Sequence, residues 1–195
     1  MVYASSSSVY GDHPVLPKVE EQTGRPLSPY AVSKCSNELY AGVFAKSYGM
    51  ELIGLRYFNV FGPRQNPDGP YAAVVPAFIR DIKKNIAPVI YGDGGNSRDF
   101  TFVENAVQAN IRALFVENQR AIDQVYNVAV GEQYTIRQLF DSICHYLHCD
   151  MVPRFESPRT GDIQHSLADI TKAAKLLNYR PAIRMEEGLR ILLQE

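Results

Sequence analysis

A helix with clear ends, set between two apolar runs, constrains this chain more than any other feature. Ser28 and Pro29 mark its start, the serine as N-cap and the proline at the first helical position, and Gly49 marks its stop. Between them Leu39, Val43 and Phe44 form an apolar stripe at helical spacing. Met1-Val2-Tyr3-Ala4 before it reads as the end of a buried strand, and Glu51 to Tyr57 (ELIGLRY) after it as a short apolar strand. Strand, helix and strand in that order make a βαβ unit of a parallel sheet. The rest of the chain keeps alternating, so the expected class is α/β.

The further elements follow from periodicity and from Gly and Pro punctuation. Gly11 to Pro29 is a Pro- and Gly-rich loop, and Gly62 to Gly69 is a polar turn region. Helices are expected at about Ala72 to Lys84, Val103 to Val116, Thr135 to His148, Asp169 to Leu177 and Met185 to Leu193. In the third of these Ile136, Leu139, Phe140 and Ile143 point inward. Strands are expected at Val89 to Tyr91, Arg98 to Phe102 and Gln124 to Val130, with Gly92-Asp93-Gly94-Gly95 read as a hairpin turn.

Charge and cysteine usage exclude several classes. With 20 Lys+Arg against 21 Asp+Glu there is no basic excess to grip a phosphate backbone, so no nucleic-acid partner is expected. No apolar run reaches membrane-spanning length, so no membrane partner is expected either. Cys35, Cys144 and Cys149 form no disulfide framework, and together with the absence of a leader pattern they point to a reducing, cytoplasmic setting. His145, His148 and Cys149 lie at helical spacing but have no matched fourth ligand, so no metal site is expected. Cys35 reads as a small packed hydrophobe.

Doubly wound sheets bind ligands at the carboxyl ends of their strands, and the serines Ser5 to Ser8 sit at such an end. Tyr30 and Lys34 lie four apart on the helix and share a face. A tyrosine hydroxyl titrates near pH ~10 and is a poor base at neutrality. An adjacent ammonium favours the phenolate. With Ser6 helping to hold the substrate, such a pair can take a proton from a sugar hydroxyl. Tyr and Lys at this spacing are also ordinary on helix surfaces.

The ordered motifs carry more weight. V-Y-G-D (Val9 to Asp12), S-P-Y-x-x-S-K (Ser28 to Lys34), R-Y-F-N-V-F-G-P (Arg56 to Pro63), S-R-D-F (Ser97 to Phe100), V-Y-N-V-A (Val125 to Ala129), R-T-G-D (Arg159 to Asp162) and H-S-L-A-D (His165 to Asp169) follow the serines. Together they resemble the NAD-dependent epimerase/dehydratase branch of the extended short-chain dehydrogenase/reductase family, over essentially the whole chain. Within it the likeness is greatest to UDP-N-acetylglucosamine 4-epimerases. The resemblance implies a partial Rossmann-type sheet in residues 1–60 and 99–130, and a nucleotide-sugar lobe in 61–98 and 131–195.

The same resemblance implies the residue roles. Ser6 bonds the reacting hydroxyl, Tyr30 is base and acid, and Lys34 holds the nicotinamide ribose. Tyr57 and Phe58 pack near the nicotinamide of NAD. Asn59, Arg98 and Arg159 belong to the diphosphate, for which a forked guanidinium is suited. Asp162 faces the uridine ribose. Ser7, Ser8, Gln65 and Ala73 fall at sugar or nucleotide contacts, and Ser166 is a gate beside the sugar C2 substituent. A homodimer through the Tyr30-bearing helix is also implied.

The implied reaction is 4-epimerisation of a UDP-hexose through a 4-keto intermediate. Dehydratases of the branch carry Asp and Glu, and decarboxylases a Glu, where this chain has Ser7 and Ser8. The remaining alternative is a remnant that only binds nucleotide sugar. It stays open because the glycine fingerprint G-x-x-G-x-x-G, which would hold the NAD pyrophosphate at a helix N-terminus, is nowhere in the 195 residues. The chain is therefore expected to lack the first nucleotide-binding half and to be inactive by itself.

Overall fold

The computed structural model describes residues 1–68, 73–159 and 162–194. Strand β1 (Val2–Ser6) runs through a 3-10 turn (Ser7–Tyr10) and a loop into α1 (Pro29–Tyr48), and β2 (Ile53–Tyr57) follows. Next come β3 (Val60–Phe61), α2 (Val74–Lys83), β4 (Val89–Tyr91), β5 (Ser97–Arg98), β6 (Thr101–Phe102) and α3 (Val103–Leu114). The chain continues with β7 (Gln124–Val128), β8 (Tyr134–Thr135), α4 (Ile136–Tyr146), β9 (Arg154–Glu156), α5 (Thr171–Leu176) and α6 (Met185–Gln194).

The main sheet is parallel in the order β1-β2-β7, so the class is α/β as expected. Ser6, Tyr57 and Val128 stand side by side at its carboxyl end. Central β2 is buried at all positions but Tyr57, the signature of a parallel strand covered on both faces. Helix α1 forms where its caps place it. The Ser28 hydroxyl accepts the Ala31 N–H at 3.1 Å, and Gly49 closes the helix at φ 65°, a left-handed turn that costs glycine least.

Several expectations need correction. The helix expected from Ala72 starts at Val74, and Ala72 itself lies outside the described residues, as does Gly69 of the polar turn region. The strand expected over Arg98 to Phe102 is two pieces, β5 and β6, broken at Asp99 and Phe100. Gly92 to Gly95 is a turn but not a hairpin. Gly92 and Gly94 have φ 82° and 81°, yet β4 pairs parallel with β9 while β5 pairs antiparallel with β8. The stripe on α1 is real and faces outward, with Leu39 73% and Val43 58% exposed.

Three apolar clusters fill the interior, the smallest of them Val9, Tyr10, Phe58, Ala129 and Ala168. The largest packs Phe61, Phe78, Phe102, Phe140, Ile143 and Leu189 between α2, α4 and α6, and a second packs Leu55, Ala109, Tyr126, Val128 and Leu177 against the sheet. Helix α5 and Tyr179 thus join the sheet's core although they follow residue 131, and Phe100 and Phe102 join the largest. No helix among the described residues is long and apolar enough to cross a membrane.

Candidate active site

The carboxyl end of the sheet gathers the chemistry. Ser6 caps the 3-10 turn, its Oγ accepting the Ser8 N–H at 3.1 Å, which leaves its own O–H to donate elsewhere. The Ser8 Oγ is buried and has no partner among the described residues, and the same holds for Gln65 Oε1. Buried polar atoms are normally paired, so both are suited to a ligand's hydroxyl or amide. Ser7 is partly buried beside them, and Ala73 is the residue ahead of α2, with no side-chain cap bond.

On α1, Tyr30 is 41% exposed and the Lys34 ammonium lies 5.6 Å from its ring centre. Lys34 Nζ donates to the Ala4 carbonyl of β1 at 3.1 Å. The next turn of the helix carries Glu38, whose carboxylate forks onto Arg56 of β2 at 2.8 and 2.7 Å and accepts the Ser5 hydroxyl. Arg56 also donates to the Glu20 carbonyl at 2.9 Å and stacks over Tyr10. Burial works against its charge, but the bonds to Glu38 prevail and hold the guanidinium pKa above its usual value. Tyr30, Lys34 and Glu38 are successive residues at spacing four, so this ion pair fastens the Tyr30 face of α1 to the sheet.

Tyr57 closes the central strand and Phe58 follows it. The Tyr57 hydroxyl is engaged with Asn110 on α3 at 3.0 Å. Phe58 is fully buried against Tyr10, and its N–H bonds the Val128 carbonyl. Asn59, at φ 36°, donates its amide to the Asp99 carbonyl at 2.9 Å.

A second group of residues lines a cleft of ≈ 560 Å³ bounded by Gly92, Asn96, Arg159, Asp162, Gln164 and His165. Arg98 donates to Asp162 at 2.8 Å, and burial lowers the Arg98 pKa against the pull of that carboxylate. The Arg159 guanidinium lies 3.7 Å from the Tyr91 ring centre. Thr160 and Gly161 of the R-T-G-D motif lie outside the described residues. Ser166 is buried and its N–H bonds Ser97. It caps no helix, since Asp169 takes the Thr171 N–H before α5.

The family model for GDP-mannose 4,6 dehydratase matches residues 1–192. The chain belongs to that family. A putative UDP-glucose 4-epimerase of Methanocaldococcus jannaschii is 37% identical over 191 residues, which are 97% of this chain and 60% of that protein. The structure of a UDP-N-acetylglucosamine 4-epimerase from Methanobrevibacter ruminantium, in complex with UDP-N-acetylmuramic acid, superposes at TM-score 0.92 and 44% identity. It covers 99% of this chain and 61% of its own. A UDP-glucose 4-epimerase from Thermus thermophilus, in complex with NAD, superposes at TM-score 0.86 and 33% identity over 99% and 62% of the two chains. The chain thus spans about 60% of the length of these family members.

For a dinucleotide, the family's cofactor class, the residues present fit one end. Lys34 and Tyr30 offer a cation and a hydroxyl for the nicotinamide riboside, and Lys34 opens onto a groove of ≈ 520 Å³ lined also by Tyr3, Ala4, Phe44 and Leu52. Sequence reasoning missed Asp99, Tyr91 and the Glu38–Arg56 pair. Asp99 and Arg56 lie inside the quoted family motifs, and a charge within an otherwise apolar strand was the available signal for Arg56.

Proposed function

We propose that this chain supplies the catalytic and substrate-binding part of an NAD-dependent UDP-hexose 4-epimerase that works on N-acetylated sugars. The observation that supports the reading is Lys34, which lies 5.6 Å from the Tyr30 ring centre and bonds the Ala4 carbonyl two residues before Ser6 at the end of β1, within a chain 44% identical to a UDP-N-acetylglucosamine 4-epimerase. Arg159 and Arg98 grip the diphosphate, Asp162 meets the uridine ribose, and Asn59 adds an amide beside them. Ser7, Ser8, Gln65 and Ala73 line the sugar and nucleotide path.

NAD, when bound, supplies the hydride acceptor and donor for C4 of the sugar. Tyr30 takes the C4 hydroxyl proton as the C4–H hydride leaves, so the C–O bond becomes a carbonyl. Lys34 keeps a positive charge beside the phenolate, and Ser6 donates to the same oxygen. On the way back Tyr30 returns the proton to the C4 oxygen, whichever face of the 4-keto sugar is presented. Turnover belongs to a form of the protein that carries a glycine-turn unit for the pyrophosphate. The outward stripe of α1 supports pairing of two such molecules through this helix.

Ser166 sets the sugar. A small residue beside C2 leaves room for an N-acetyl group, worth on the order of 1–3 kcal/mol of preference. Ser166→Tyr is expected to lower kcat/KM for UDP-GlcNAc and UDP-GalNAc while sparing UDP-Glc and UDP-Gal. Steady-state rates on all four substrates check this; equal losses on both pairs would place the gate elsewhere.

A further inference from the structure

Asp99 is fully buried at the break between β5 and β6, and no step above uses it. Its Oδ1 accepts the Val130 N–H at 3.0 Å, and its Oδ2 accepts the N–H groups of Gly131 at 3.0 Å and Ala168 at 3.2 Å. Its backbone carbonyl takes the Asn59 amide. These partners come from the segments after β2 and β7 and from the loop that carries Ser166. On the other side of Asp99, β5 holds the same loop, with Ser97 N–H on the Gln164 carbonyl at 2.8 Å and Ser166 N–H on the Ser97 carbonyl at 3.0 Å.

We propose that Asp99 is a positioning residue for nucleotide-sugar binding: its ionised carboxylate ties the Val130–Gly131 segment to Ala168 of the Ser166 loop, while its backbone carbonyl holds Asn59 and the adjoining β5 carries Arg98, so UDP-sugar affinity depends on its protonation. This rests on the UDP-sugar reading above. An ionised carboxylate only accepts, and three donors face it. A proton fits the Oδ1 lone pair that no N–H uses, and it removes the charge that strengthens all three bonds. Burial raises the Asp99 pKa to about 6, against the pull of the three N–H bonds. The group is therefore charged above that pH, where affinity is full, and neutral below it, where affinity falls.

The ionisable groups around it are few. Tyr179, whose hydroxyl bonds the Ala129 carbonyl, senses the Asp99 charge. Arg98 is paired with Asp162, His165 bonds the Ser97 hydroxyl, and Asp169 is engaged with Thr171. Lys18 lies beside the Ser166 loop, bonding the His13 carbonyl, and Glu132 beside Gly131 pairs with Arg184.

Isothermal titration of UDP-GlcNAc into the chain between pH 5 and pH 8 tests this, because a sugar-capped diphosphate keeps a constant charge over that range. Wild type is expected to weaken about tenfold from pH 8 to pH 5, following one proton. Asp99→Asn, whose amide is the same at every pH, is expected to bind roughly tenfold more weakly at pH 8 and to show a flat profile. His165→Asn is expected to keep the wild-type slope. A flat wild-type profile, a D99N variant that keeps the slope, or a D99N variant with wild-type affinity would each overturn the role of Asp99. If D99N does not melt cooperatively, the wild-type and H165N profiles decide alone. No binding by wild type at pH 8 would overturn the UDP-sugar reading and this inference with it, whereas tight, pH-independent binding overturns this inference only.

Discussion

Tyr30→Phe is expected to lower UDP-hexose turnover by roughly 10²–10⁴-fold in a form of the protein that carries the glycine-turn unit, because a positioned acid–base group typically contributes that much. UDP-sugar affinity should stay close to wild type. The substitution removes one phenolic oxygen, and on the proposed reading the diphosphate is gripped by Arg159 and Arg98 instead. The split matters more than the size of the loss, since a residue acting only in the transition state lowers kcat and kcat/KM together. Single-turnover rates beside a titration of UDP-GlcNAc check both halves. Retention of more than about a tenth of the rate would remove Tyr30 from the role of base.

The largest effect on stability is expected at the Glu38–Arg56 pair. The two side chains are 15% and 5% exposed, and the carboxylate meets the guanidinium through two short bonds. Glu38→Ala leaves a buried guanidinium without its counter-charge, which typically costs about 3–5 kcal/mol. For a chain of this size that corresponds to a fall in Tm of roughly 10 °C. The double variant Glu38→Met, Arg56→Met removes both charges while keeping bulk, and should recover much of the loss. Thermal melts of the single and double variants form the cycle that measures this. Equal Tm values for E38A and wild type would show that the pair does not fasten α1. The same clamp predicts lower turnover for E38A, since it sits one turn from Lys34 and its partner adjoins Tyr57.

The elements that could be read from sequence are those whose signals are local. Ser28, Pro29 and Gly49 fix α1 by short-range capping, and Thr135 with Gln138 does so for α4 through a capping box. The two-residue strands β3 and β8 and the three-residue β9 escaped notice because each exists only through a partner far along the chain. The stripe on α1 was visible, but periodicity cannot say what covers a stripe, and here its residues face outward. The same limit applies to the site. Motif matching put Tyr30, Lys34, Arg98 and Asp162 forward, and the structure pairs Lys34 with the Tyr30 ring and Arg98 with Asp162. It could not show that Phe58 is buried against Tyr10, or that Asp99 gathers three backbone N–H groups, because both facts depend on which segments meet in space.

Hydride removal and return at one carbon is the central claim, and proton NMR of UDP-GlcNAc turnover in deuterated water tests it most directly. With the glycine-turn unit and NAD present, the signals of UDP-GalNAc are expected to grow in with the C4 proton still on the sugar, because the hydrogen is carried and returned without meeting solvent. Deuterium at C4, or conversion that proceeds without any 4-epimer, would contradict it.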